Sequence, residues 1–176
     1  INPADDVEAK AAVKAAYEYE GPVYLRFGRL AVPVINDRPD YKFEIGKGYV
    51  VKEGADVTII ATGLEVSAAI DAAELLAKDG ISAEIVNIHT IKPIDKELVI
   101  KEAEKTGKVV TVEEHSVIGG LGSAVCEVLS ENHPLPVKRI GVYDRFGESG
   151  PAVELLHKYK LDGEGIAEQV KEYLKG

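Results

Sequence analysis

The pattern of apolar and polar positions changes character near residue 43. Beyond it, short apolar runs alternate with helical stripes. Val57-Thr58-Ile59-Ile60-Ala61 is apolar almost throughout, as a central strand covered on both faces would be. In residues 65–79, Val66, Ala69, Ile70, Ala73, Leu76 and Ala77 recur at helical spacing. Glu65, Asp71, Glu74 and Lys78 fall on the opposite, polar face, and Gly80 stops the helix. Further strands are predicted at 83–88, 109–112 and 137–142. Asp95 predicts a helix cap, with Gly107 as the stop of that helix. A helix through Ala124, Val125, Val128 and Leu129 follows Gly119, Gly120 and Gly122, and two helices at 152–159 and 163–174 close the chain. Residues 49–52 turn at Gly54 into the 57–61 strand, and so short a connection predicts an antiparallel edge.

Strand and helix alternate four times over about 120 residues, which implies parallel strands joined by crossovers. The expected fold is α/β: a mostly parallel five-stranded sheet with one antiparallel edge strand and helices on both faces, spanning residues 44–176. Residues 1–43 read differently. Asn2-Pro3 resembles an N-cap and a first-turn proline, with Asp5, Asp6 and Glu8 complementing the helix dipole. That helix runs to about Tyr19, Gly21 ends it, and a strand is expected at 23–27. Residues 28–42 have no period and carry Pro33 and Pro39. A stretch that long is unusual inside a compact domain, so it reads as a linker at a domain boundary.

Thirty acidic against 21 basic side chains give a formal charge of -9, which argues against a nucleic-acid partner. It leaves small phosphorylated substrates open, since one or two arginines suffice for those. No apolar run approaches the roughly 18 residues of a membrane helix. The lone Cys126 forms no internal disulfide and fits a reducing, cytoplasmic setting. The chain opens on Ile1 and holds no Met, which is expected of part of something longer.

Candidate chemistry gathers where α/β sheets take ligands, at the carboxyl ends of strands. Glu113, Glu114 and His115 run into Gly119-Gly120-Leu121-Gly122, a segment that reads either as a phosphate cradle or as a tight strand-to-helix turn. His89 ends another strand, and His115 with the two glutamates reads either as an acid–base group or as a polar contact. Cys126 sits among core positions. The 144–150 loop holds a charged cluster or a turn with an internal ion pair. Arg26 and Arg29 flank the end of the predicted 23–27 strand, where Arg29 could hold a phosphate or join a surface ion pair.

Four stretches in this order resemble the transketolase family: Pro22-Val23-Tyr24-Leu25-Arg26-Phe27-Gly28-Arg29; Gly54-Ala55-Asp56-Val57-Thr58-Ile59-Ile60-Ala61-Thr62-Gly63; Val112-Glu113-Glu114-His115 with Gly119-Gly120-Leu121-Gly122; and Asp144-Arg145-Phe146-Gly147-Glu148-Ser149-Gly150. Ile91-Lys92-Pro93-Ile94-Asp95 is similar too. The resemblance spans the whole chain and is closest in flavour to the C-terminal subunits of split transketolases. It implies that residues 1–43 are the tail of a pyrimidine-binding domain and that the rest is the C-terminal domain. It implies ketol transfer from a ketose phosphate to an aldose phosphate in the pentose phosphate pathway, with thiamine diphosphate and a divalent metal (Mg). The partners it implies are an N-terminal diphosphate-binding subunit or domain, a second copy in a homodimer, and phosphorylated sugars.

By the same resemblance Arg29 matches the arginine that contacts substrate phosphate, while no residue here matches a catalytic, cofactor or metal position. The chain alone is then expected neither to bind the cofactor nor to catalyse. The rival families are 1-deoxy-D-xylulose-5-phosphate synthase, in which the position of His115 is usually Gly, and 2-oxo acid dehydrogenase beta subunits. A dimerisation module without catalysis is the non-enzymatic alternative.

Overall fold

The computed structural model describes all residues, 1–176. Five strands form one sheet: β1 (Tyr49–Lys52), β2 (Val57–Ala61), β3 (Ala83–Asn87), β4 (Val109–Ser116) and β5 (Val137–Val142). Their spatial order is β1-β3-β2-β4-β5, with β1 antiparallel and all other pairs parallel. The expected α/β architecture, with its antiparallel edge strand, is the one observed.

Alternation along the buried strands builds two cores. Val57, Ile59, Ile85, Val110 and Ile140 point to the face covered by α2 (Glu65–Lys78) and α6 (Gly163–Lys175). Ile60, Val86 and Val109 point to the face covered by α3 (Lys96–Thr106) and α4 (Leu121–Asn132). Side chains two residues apart share a face, so one apolar run feeds both layers. The short α5 (Ala152–Lys158) lies between β5 and α6 in sequence. Asp95 caps α3 as expected, accepting from the Leu98 amide, and Gly107 ends that helix with a left-handed φ of 65°. No helix is long and apolar enough to cross a membrane.

Residues 1–43 depart from expectation in two ways. Their helix, α1, spans Asp6–Glu18 and is capped by Asp5 rather than Asn2. Residues 23–27 form no strand: the segment has strand-forming side chains but no neighbouring strand to complete a ladder, and its one backbone–backbone hydrogen bond runs from the Arg26 amide to the Ile1 carbonyl at 2.9 Å. The aperiodic stretch meets the start of α1, where the Ile35 and Asn36 amides donate to the Asp5 carboxylate at 2.8 and 2.7 Å.

Glu8, whose place in the first turn of α1 suits the helix dipole, is fully buried. It accepts from the Ala4 amide at 2.7 Å, Tyr41 Oη at 2.6 Å and Asn87 Nδ2 at 3.0 Å. Burial raises its carboxyl above the ordinary range and these donors pull it back. Asn87 closes β3, so this cluster latches α1 to the sheet.

Candidate functional site

The chain leaves β2 through α2 toward β3 on one side of the sheet and leaves β4 through α4 toward β5 on the other. The carboxyl ends of β2 and β4 therefore border the crevice where such sheets usually hold ligands. Here the protein's own N-terminal residues cover it. Asn2 donates its amide to the His89 carbonyl at 2.8 Å, and its carbonyl accepts from the Gly63 amide at 3.2 Å. Gly63 has a φ of 61°, and a Cβ there would collide with the Asn2 side chain. Asn2, Pro3, Ala4 and Asp5 are all buried.

The glycine-rich turn after β4 is filled from within. Glu113 is buried, and its two carboxylate oxygens accept from the Leu121 and Gly122 amides at 2.8 and 2.9 Å. Those are first-turn amides of α4, whose N-cap Gly120 has no side chain to offer. A Cβ at Gly120 would overlap that carboxylate, so Gly120 is required by close approach. Of the two sequence readings, the tight turn is the one observed: a built-in anion occupies the place a phosphate would take.

The two histidines are not brought together. His89 is buried, stacked on Phe43 with ring centroids 4.3 Å apart, and burial pulls its imidazole down to about 4. It is neutral at physiological pH and fixed in the packing. His115 is exposed and lines a cavity of about 410 Å³ with Arg26, Lys92 and Glu113. Its only hydrogen bond joins Nδ1 to the Ser116 carbonyl at 3.3 Å, so no carboxylate orients it for base work. Cys126 is half-buried, and burial raises its thiol, the opposite of an activated nucleophile. In the 144–150 loop the ion pair is not internal: Glu148 pairs with Lys158 of α5 at 2.5 Å, and Arg145 lies 4.2 Å over the Tyr159 ring.

The two arginines turn to different surroundings. Arg26 donates to the Glu114 carbonyl and lies 3.5 Å from its carboxylate. Arg29 is exposed, makes no ion pair, and lines a cleft of about 320 Å³ with Leu30, Leu64, Glu114, Glu148 and Tyr159. Close by, Glu65 opens α2 fully buried, and neither carboxylate oxygen has a partner. Burial, reinforced by Glu114 and Asp162, pushes its carboxyl well above the ordinary range. The helical pattern alone puts Glu65 on the polar face. Its burial follows from position at the mouth of the sheet, which a helical wheel does not see.

Thiamine diphosphate with a metal, implied by resemblance, does not fit the residues present. The one helix terminus read as a phosphate cradle is filled by Glu113, and no three carboxylate, imidazole or thiolate groups converge on a point.

Residues 46–166 match the family described as transketolase, C-terminal domain. A transketolase C-terminal section of Methanocaldococcus jannaschii is 49% identical over 99% of this chain and 55% of its own length. The 1-deoxy-D-xylulose-5-phosphate synthase of Heliobacterium modesticaldum is 41% identical over 97% of this chain and 27% of its own. Among solved structures, a split-gene transketolase described as an inactive beta4 tetramer superposes with a TM-score of 0.92. It is 52% identical, and the match covers 98% of this chain and 56% of that one. The chain thus spans about half the length of its transketolase relatives. Sheet order, motifs and these likenesses agree, and the chain belongs to the transketolase C-terminal domain family.

Proposed function

We propose that this chain is the C-terminal portion of a transketolase that moves a two-carbon ketol unit from a ketose phosphate to an aldose phosphate, as in the pentose phosphate pathway. Residues 1–43 are the end of the pyrimidine-binding domain, and residues 44–176 are the C-terminal domain. The cofactor, thiamine diphosphate with a divalent metal, supplies the carbanion chemistry and is held by an N-terminal diphosphate-binding partner and by residues outside this chain. This chain alone is inactive, and within a cytoplasmic enzyme it contributes contacts to a second copy. The observation that carries the reading is Arg29. Its guanidinium is unpaired at the mouth of a cleft, and its planar fork suits a phosphate. The transketolase relatives support ketol transfer, and the synthase relative supplies the competing product.

The test is ketol transfer from xylulose 5-phosphate to ribose 5-phosphate by the complete enzyme with its diphosphate-binding partner. Arg29→Ala is expected to raise KM for the phosphorylated acceptor about tenfold with kcat little changed, the signature of lost uniform binding. Consumption of pyruvate with glyceraldehyde 3-phosphate, without ketol transfer, would replace the transketolase reading by the synthase reading.

A further inference from the structure

The cleft that Arg29 borders holds two glutamates, and each already has a cation. Glu148 is paired with Lys158 at 2.5 Å. Glu114 receives Arg26, which reaches across from the tail to its carbonyl and lies 3.5 Å from its carboxylate. Arg29 is the guanidinium left over. The Arg26–Glu114 pair is part-shielded, with side chains 28% and 43% exposed, so it is not washed out as a fully solvated pair would be. Without Arg26, the Glu114 carboxylate would face a cleft in which the unpaired guanidinium is Arg29. An internal pair between them would occupy the same fork of donors that an incoming anion needs.

We propose that Arg26 is a positioning residue for anion binding by Arg29: by holding Glu114, it keeps the Arg29 guanidinium free for the phosphate of a sugar phosphate. This rests on the phosphate reading of Arg29 given above. It assigns the C-terminal domain a part in substrate selection, through one carboxylate at the end of β4.

The experiment compares wild type, Arg29→Ala, Arg26→Ala, Glu114→Gln and the double variant Arg26→Ala with Glu114→Gln, all in the complete enzyme. KM is measured for ribose 5-phosphate and for the unphosphorylated acceptor glycolaldehyde, and each protein is also titrated with inorganic phosphate. Arg26→Ala is expected to weaken both phosphate binding and ribose 5-phosphate binding about tenfold while leaving glycolaldehyde within about twofold. Glu114→Gln alone, which takes a negative charge out of the cleft, is expected to tighten phosphate binding by up to about threefold, and a loss of phosphate affinity in that variant counts against the proposal. The double variant is expected to recover to within about threefold of wild type, because the competing carboxylate is gone.

A role for Arg26 in merely holding the backbone predicts the reverse: the double variant would be as weak as the single one, and that result overturns the proposal. So does an Arg26→Ala enzyme with unchanged phosphate affinity while Arg29→Ala is weakened. If Arg29→Ala itself binds phosphate as wild type does, the phosphate reading fails and the role of Arg26 falls with it. Should Arg26→Ala fail to fold, Arg26→Gln removes the charge while retaining an amide donor, and the same pair of comparisons applies.

Discussion

The sheet domain and the N-terminal tail are held by opposite means. Beyond residue 43, apolar side chains do the work: Ile59, Ile60, Leu76 and Ile85 are fully buried between the layers. In the first 43 residues the buried apolar side chains are small, Pro3, Ala4 and Ala12, while Asn2, Asp5, Glu8 and Asn36 are buried polar ones. The tail also leaves Val13, Tyr17, Tyr19, Tyr24, Phe27 and Val34 exposed. Apolar burial is non-directional and tolerates adjustment, whereas a buried carboxylate with several donors accepts one register only. The sheet domain is therefore stable by area, and the tail is placed by geometry.

Three substitutions would sharpen or break that contrast. The largest effect is expected from Leu76→Ala, which opens a cavity between α2 and the sheet and should cost about 2–5 kcal/mol in denaturant unfolding. A loss under about 1 kcal/mol would mean that the core repacks freely and that area is not what holds it. Next is Glu8→Ala, which strands the Tyr41, Asn87 and Ala4 donors at a cost of about 1–3 kcal/mol. Its signature should be local. Chymotrypsin should gain access around Tyr41 while the cooperative unfolding of the sheet stays intact. If the sheet instead lost cooperativity with the tail, the two regions would be one unit.

The smallest effect is expected from Glu65→Gln, and it should depend on pH. Because the folded carboxyl is raised, the folded state keeps its proton after the unfolded chain has released it. Stability then falls as pH climbs above the ordinary carboxylate value of 4.5. Removing the titration should leave the variant close to wild type near pH 4 and more stable by pH 8, as read from the melting temperature. Equal melting temperatures across that range would show that Glu65 has a partner in solution.

Much of the fold could be read from the sequence because its signals are local. The unbroken run of residues 57–61, the stripe of α2 and the Asp95–Gly107 bracket of α3 each report their own neighbourhood. Residues 23–27 mislead for the complementary reason: they have the composition of a strand, but a strand exists only beside another. The polar anchors were hidden because burial of a charge is decided by distant residues. Glu8 meets Asn87, 79 positions away, and Glu113 meets α4 only after the chain turns through Gly119 and Gly120. Arg26 and Arg29 were visible as a pair, but that one is tied to Glu114 and the other left free depends on a contact 88 positions away.

The covering of the β2–β4 crevice by Asn2 to Asp5 also bears on recombination. A chimera that exchanges C-terminal domains between relatives would naturally be joined in the aperiodic stretch near residue 43. Such a junction would part the sheet from the residues that seal its mouth, leaving Gly63 facing a foreign side chain in place of Asn2. The exchangeable unit is discontinuous in sequence: the sheet domain travels intact only if the few residues that open this chain, and Arg26, travel with it.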